Sequence, residues 1–227
     1  MVITIQPEVF SILIVTGLLI CVVLYAGMKI KQSDPGQAPK GIVVLALYLI
    51  EWADKFTGDN MGQQFVKSFG PYIGTIAMYI FCCNISGLFG LPAPTSNLSV
   101  TLALGLISWC IIQGVSLKSN KLSGYVKGLL EPFAVMLPVN IFGKIAPLVS
   151  MSMRLFGNIL VGGVLMSLVY SATGLLANLI FANCKFNFIG PIIAPVLHGY
   201  FDLFAGFIQM FIFISVTTVL AGNEVSE

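Results

Sequence analysis

A single arginine, Arg154, sits ten positions into a segment that is otherwise uncharged from Ile145 to Cys184. A guanidinium cannot shed its proton, and insertion scales put a charge at the centre of a membrane helix at about 2.5 to 3.5 kcal/mol unfavourable. Snorkelling to an interface would relieve that cost, but the neighbouring residues argue against it. Ser150, Arg154, Asn158 and Gly162 recur at every fourth position, so a helix lines them along one slowly drifting stripe with Gly157 beside it. Small residues let a second helix come close, and Ser and Asn can replace water as hydrogen-bond partners. The stripe is therefore expected to face water or protein rather than lipid.

The last segment, Phe186 to Asn223, is apolar except for His198 and Asp202. Gly199, Asp202, Gly206 and Gln209 follow at spacings of three, four and three, which puts them on one face. His198 precedes Asp202 by four residues, so the two side chains can meet along the helix. His198 alone fits a structural role as well as a proton carrier, whereas a carboxylate inside a membrane normally marks an ion or proton route. Other chemistry finds little to build on. The sequence has no HExxH zinc motif, no GxSxG elbow and no phosphate-cradling GxxxxGK. Cys21, Cys82, Cys83 and Cys110 lie within apolar runs and are expected to be buried fillers, with Cys184 near a loop; adjacent Cys82 and Cys83 point to different faces, which argues against a metal pair. No metal or cofactor is expected.

These side chains need elements to hold them, and composition says what kind. Of 227 residues, 57% are hydrophobic and only 9% charged, with a mean hydropathy of +0.97. Soluble domains carry roughly a quarter charged residues, so soluble enzymes, disordered chains and disulfide scaffolds are excluded. The lysines are dispersed between uncharged stretches rather than grouped on a face, which leaves nucleic acid without a docking site.

The reading is an all-α membrane protein forming one polytopic domain, with about five membrane-embedded helices and one cytoplasmic interfacial helix. Residues 9–28 form an anchor between Glu8 and the Lys29/Lys31 pair, with its N-terminus outside because lysines favour the cytoplasmic flank. The apolar run Gly41 to Ile50 is too short to span and leads into Glu51, Trp52, Asp54 and Lys55. An interfacial helix over about 39–57 is expected, entered through the Ser33 to Gly36 turn. The uncharged stretch from Ser68 to Leu117, broken by the turn residues from Gly90 to Asn97, reads as a two-span hairpin over about 69–117 with an external tip. Residues 138–222 exceed two perpendicular crossings and are expected to form a long inclined hairpin turning near Asn183 to Asn187, with Glu224 to Glu227 cytoplasmic.

Three segments resemble one family. Ser152 to Asn158, SMRLFGN, is similar to the SxRLFGN signature of subunit a of F-type ATP synthases; Pro94 to Leu104 resembles that family's PTSDLNVTLAL segment, and Ile208 to Phe213 its LIQAYVF segment. The order of anchor and surface helix also fits, so the resemblance covers most of the chain. It implies an ion-translocating, non-catalytic stator subunit that binds no nucleotide. The inclined hairpin would face a rotating c-subunit ring whose members each carry a membrane-embedded carboxyl group, with two offset aqueous half-channels meeting the ring beside an essential arginine. Residue by residue, Arg154 matches that arginine, Asn158 the asparagine after it, and Gln209 the glutamine packed near it from the last helix. Asp202 stands where relatives carry Glu or His, and Gly163 where an acid or His is frequent. Asn140 stands where many relatives have Glu, with Lys144 nearby; with Ser150 and His198 these are the further half-channel candidates. The implied partners are the c ring, the b-subunit peripheral stalk, the rest of the synthase and the bilayer. The implied location is a bacterial plasma membrane, with the mitochondrial inner membrane as the alternative. The coupling ion is read as H⁺, with Na⁺ as the alternative. An autonomous secondary transporter using Arg154 and Asp202 is the competing reading, but such carriers often show two related halves and none is visible here.

Overall fold

Glu8 in the first turn and Lys29 and Lys31 in the last complement the dipole of α1, Pro7–Gln32, while Leu13, Leu18 and Leu24 stay exposed along its length. In this computed structural model the described residues are 7–32, 39–131, 133–180, 187 and 189–226. The turn expected at Ser33 to Gly36, most of the turn at Asn183 to Asn187, and Cys184 fall outside them.

Helix α2, Ile42–Met61, ends further along the chain than expected, at Gly62, whose φ of 92° a side chain would resist. It does more than lie on a surface. Ala53, Thr57 and Met61 are buried against neighbouring helices, and Trp52 and Phe56 pack on the main core. Helix α3, Val66–Ile85, buries Ile73, Ile76, Ala77, Ile80 and Asn84, the spacing of a single helical stripe. Gly90, with φ 75°, and the single turn Pro94–Ser96 reverse the chain; Asn97 then caps α4, Leu98–Leu130, by accepting from the Ser99 amide at 2.9 Å. Helix α4 is broken at Lys121 (φ 55°, ψ 168°), so its last turns form a separate short piece.

Helix α5, Leu137–Ile180, runs unbroken through Pro147. Its 44 residues correspond to about 66 Å, twice the roughly 30 Å hydrocarbon layer. The return begins with α6, Gly190–His198, widens into a π-helical segment over Gly199–Phe204, and continues as α7, Ala205–Ser226. Pro195 has no amide to give to the preceding turn, the Gly199 amide is shared between the Pro195 and Val196 carbonyls, and the Ala205 amide reaches five residues back to Tyr200.

Helices α5 and α7 pack antiparallel. A Cβ on Gly162 would lie 3.5 Å from Phe201, Thr217 Oγ1 reaches Met151 Sδ at 3.7 Å, and Lys144 pairs with Glu224 at 3.0 Å. The core lies where they meet α3, around Ile80, Leu155, Phe213 and Ile214. A smaller cluster joins Met61, Ile112, Val115 and Ala221. Among the described residues every regular element is helical, and five helical stretches are long and apolar enough to cross a bilayer: Glu8–Gln32, Gln63–Phe89, Leu98–Leu130, Ala134–Leu179 and Gly190–Val225. The chain is an all-α membrane protein. One expectation about its packing fails: Cys83 is buried, but Cys21 and Cys110 are exposed on the outer surface, where a thiol sits in lipid as comfortably as a small aliphatic group.

Candidate functional site

Met151 and Leu155 anchor the middle of α5 in the core at 2% and 1% exposure, which turns the intervening Arg154 outward. Arg154 is exposed and has no hydrogen bond or ion pair among the described residues. Its base lines a narrow crevice with Gln209, Ile212 and Phe213 of α7. From Arg154 a wider recess of about 320 Å³ runs between α5 and α7 along Ser150, Pro147, Ala146 and Gly143 on one wall and Val216 and Leu220 on the other. Pro147, in this wall, has no amide to donate to the Gly143 carbonyl four residues earlier.

The structure thus brings Arg154, Ser150 and Gln209 together. Asn158 lies one turn further on. Its Nδ2 and the Oε1 of Gln209 are both buried and lack partners among the described residues. Unsatisfied amides on facing helices beside a lone guanidinium mark a place where polar company from outside the chain is expected.

His198 and Asp202 meet as their spacing suggested, Nδ1 to Oδ2 at 2.7 Å. The wide turn aims the pair: a Cβ on Gly87 would lie 3.8 Å from Asp202 Oδ2, so the carboxylate faces the turn that ends α3. Asn84 fixes that junction. It donates to the Gly206 carbonyl at 3.1 Å and accepts from Thr95 Oγ1 at 3.0 Å, while Gly206 lets the two helices touch. Sequence reasoning did not single out Asn84 or Thr95; a polar residue near the end of an otherwise apolar span was the available signal.

Asn140 and Lys144 both have partners. Asn140 Nδ2 donates to the carbonyls of Leu129 and Glu131, both at 2.9 Å, and so ties the end of α4 to the start of α5. Lys144 Nζ donates to Glu224 Oε1 at 3.0 Å and lies 4.6 Å from the Tyr125 ring centroid, while Trp109 Nε1 donates to the Lys144 carbonyl at 2.6 Å. Glu224, read from sequence as part of a cytoplasmic tail, is the last acid of α7 and also accepts from Ser116 Oγ.

Along α5 the polar groups therefore fall on both sides of Arg154. Lys144, with Glu224, is about 15 Å away in one direction; Gly162, against Phe201 and so next to Asp202, is about 12 Å away in the other.

A family profile described as ATP synthase A chain matches residues 9–221. The chain is 32% identical to ATP synthase subunit a of Mycoplasma pneumoniae, over 92% of this chain and 76% of that protein. It is 30% identical to ATP synthase subunit a of Limosilactobacillus reuteri, over 94% and 92% respectively. A sodium ion specific ATP synthase subunit a from Propionigenium modestum is also 30% identical, over 76% of this chain and 61% of its own length.

Proposed function

Since the chain belongs to the ATP synthase A chain family, we propose that it is the ion-translocating stator subunit of an F-type ATP synthase, with Arg154 as the fixed charge between two half-channels. The carrying observation is the bare guanidinium: exposed in the middle of a long apolar helix and without a partner among the described residues. Such a charge is tolerable in a membrane if something outside the chain answers it. A ring of c subunits, each with a membrane-embedded carboxyl group, supplies that answer.

The electrostatics then give the mechanism. A carboxyl group facing lipid stays neutral, but a nearby cation favours its ionised form, so each ring carboxyl gives up its ion as it arrives beside Arg154. The guanidinium keeps its charge and repels a passing cation, which blocks a direct leak and forces ions to travel by rotation of the ring. The recess along Ser150 serves one aqueous phase, and the His198–Asp202 pair with water serves the other. Each elementary charge crossing 100 mV releases about 2.3 kcal/mol to bias the turning. Helices α5 and α7 lie inclined in the bilayer, the b-subunit stalk touches α1 and α2, the N-terminus is outside and the C-terminus cytoplasmic.

Arg154→Ala tests this reading. The variant should assemble at near-normal levels yet lose ATP-driven ion pumping, assayed as acidification of inverted vesicles with and without sodium. Pumping at the normal rate would overturn the assignment. Sodium-dependent pumping without acidification would make Na⁺ the coupling ion.

A further inference from the structure

We propose that Glu224, held by Lys144 and Ser116, is the ion-exchanging carboxylate at the end of the recess that leads from Arg154 away from Asp202. The inference rests on the stator reading and adds a residue to it. Three observations carry it. The recess lies along a stripe of α7 through Val216 and Leu220, and Glu224 is the next position on that stripe, one turn on. On the facing wall Gly143, which lines the recess, directly precedes Lys144, whose ammonium meets Glu224 at 3.0 Å, so the ion pair lies at the same level of the two helices as this end of the recess. Both side chains remain partly exposed, 25% for Lys144 and 20% for Glu224.

A pair placed here only to hold helices together is a poor device, because partly burying two opposite charges costs about as much as their attraction returns. Its chemistry suits exchange. Asn140, nearest along α5, has no acid to offer and its amide is engaged by two carbonyls. Around Glu224 stand Lys144 of α5 and Ser116 of α4, with Tyr125 against the far side of Lys144 and donating to Gln113 at 2.8 Å. A hydronium in the recess gives its proton to the Glu224 carboxylate and leaves as water. The resulting carboxylic acid gives the proton to water outside and returns to carboxylate, while Lys144 stays an ammonium throughout.

The test uses the assembled membrane sector in liposomes, stripped of its catalytic head, with passive proton conduction in sodium-free buffer followed by a pH dye across a range of pH. Glu224→Gln keeps one acceptor oxygen for Lys144 and turns its amide NH2 to the Ser116 hydroxyl, but cannot titrate; it should lower conduction roughly tenfold. Lys144→Gln removes the cation that faces the acid, so the inflection of conduction against pH should move from its parent position. A structural tie would slow conduction in Lys144→Gln at every pH without moving the inflection, and that result overturns the proposal, as does normal conduction with an unchanged profile in Glu224→Gln. If the parent sector conducts nothing, the stator reading fails as well. If the parent conducts and Arg154→Ala loses ATP-driven pumping in the intact complex while its stripped sector still conducts passively, that reading stands whatever Glu224 does.

Discussion

At the scale of single residues, the proposed stator role casts Asp202, 2.7 Å from His198, as the ion carrier on its side of Arg154. Asp202→Asn should slow ATP-driven pumping about tenfold, less than the roughly 10²- to 10⁴-fold typical of losing a catalytic acid or base, since His198 and water remain. The initial rate of vesicle acidification measures it, and an unchanged rate would show that ions bypass this carboxylate. Arg154 and Asp202 were legible in the sequence because an ionisable group in an apolar run stands out by its cost. Glu224 was not, because at the end of a helix an acid looks like an ordinary solvated terminus. Its meaning comes from Lys144, eighty positions earlier in the chain, and no local pattern reports that pairing. Asn140, whose position suggested a channel, uses its amide to close the joint between α4 and α5, a contact that no local pattern reports either.

At the scale of elements, the function of Gly206 is to let α3 and α7 touch. A Cβ there would lie 3.0 Å from the Cβ of Asn84, tighter than side chains ordinarily pack. Gly206→Leu should destabilise the complex by about 1–3 kcal/mol, read as a lower temperature of thermal inactivation in detergent. Gly17→Ala in α1, where an added Cβ meets nothing within 4 Å, should leave that temperature unchanged or slightly higher. An undiminished Gly206→Leu complex would show that the α3–α7 contact is soft. The long apolar runs made the spans readable, because length and hydropathy are local properties. The break at Lys121 and the wide turn after His198 were less so. The first puts a lysine at positive φ, where the residue type gives no hint. The second was signalled only by Pro195 followed by Gly199, a pair that fits an ordinary kink equally well.

At the scale of the whole molecule, a chain with Leu13, Leu160, Val164 and Leu179 exposed is built to be surrounded. Gentle purification should bring with it many copies of a small helical hairpin bearing a membrane-embedded carboxyl group, identified by mass spectrometry of the intact complex. A lone chain that transports ions in liposomes would instead make it a carrier. The antiparallel register of α5 and α7 sets Arg154 between its two polar flanks, and that register depends on the π segment Gly199–Phe204. A π turn is an α-helix with one surplus residue, so it behaves as a phase adjuster. Losing a residue inside it would let the coil tighten while His198 upstream and Gln209 downstream kept their bearings. Losing one beyond it, in the regular turns of α7, would swing every later side chain through about 100° and uncouple Glu224 from Lys144. Along this last helical stretch a one-residue deletion is thus best absorbed in the π segment, upstream of the helix whose rotational setting keeps Glu224 against Lys144.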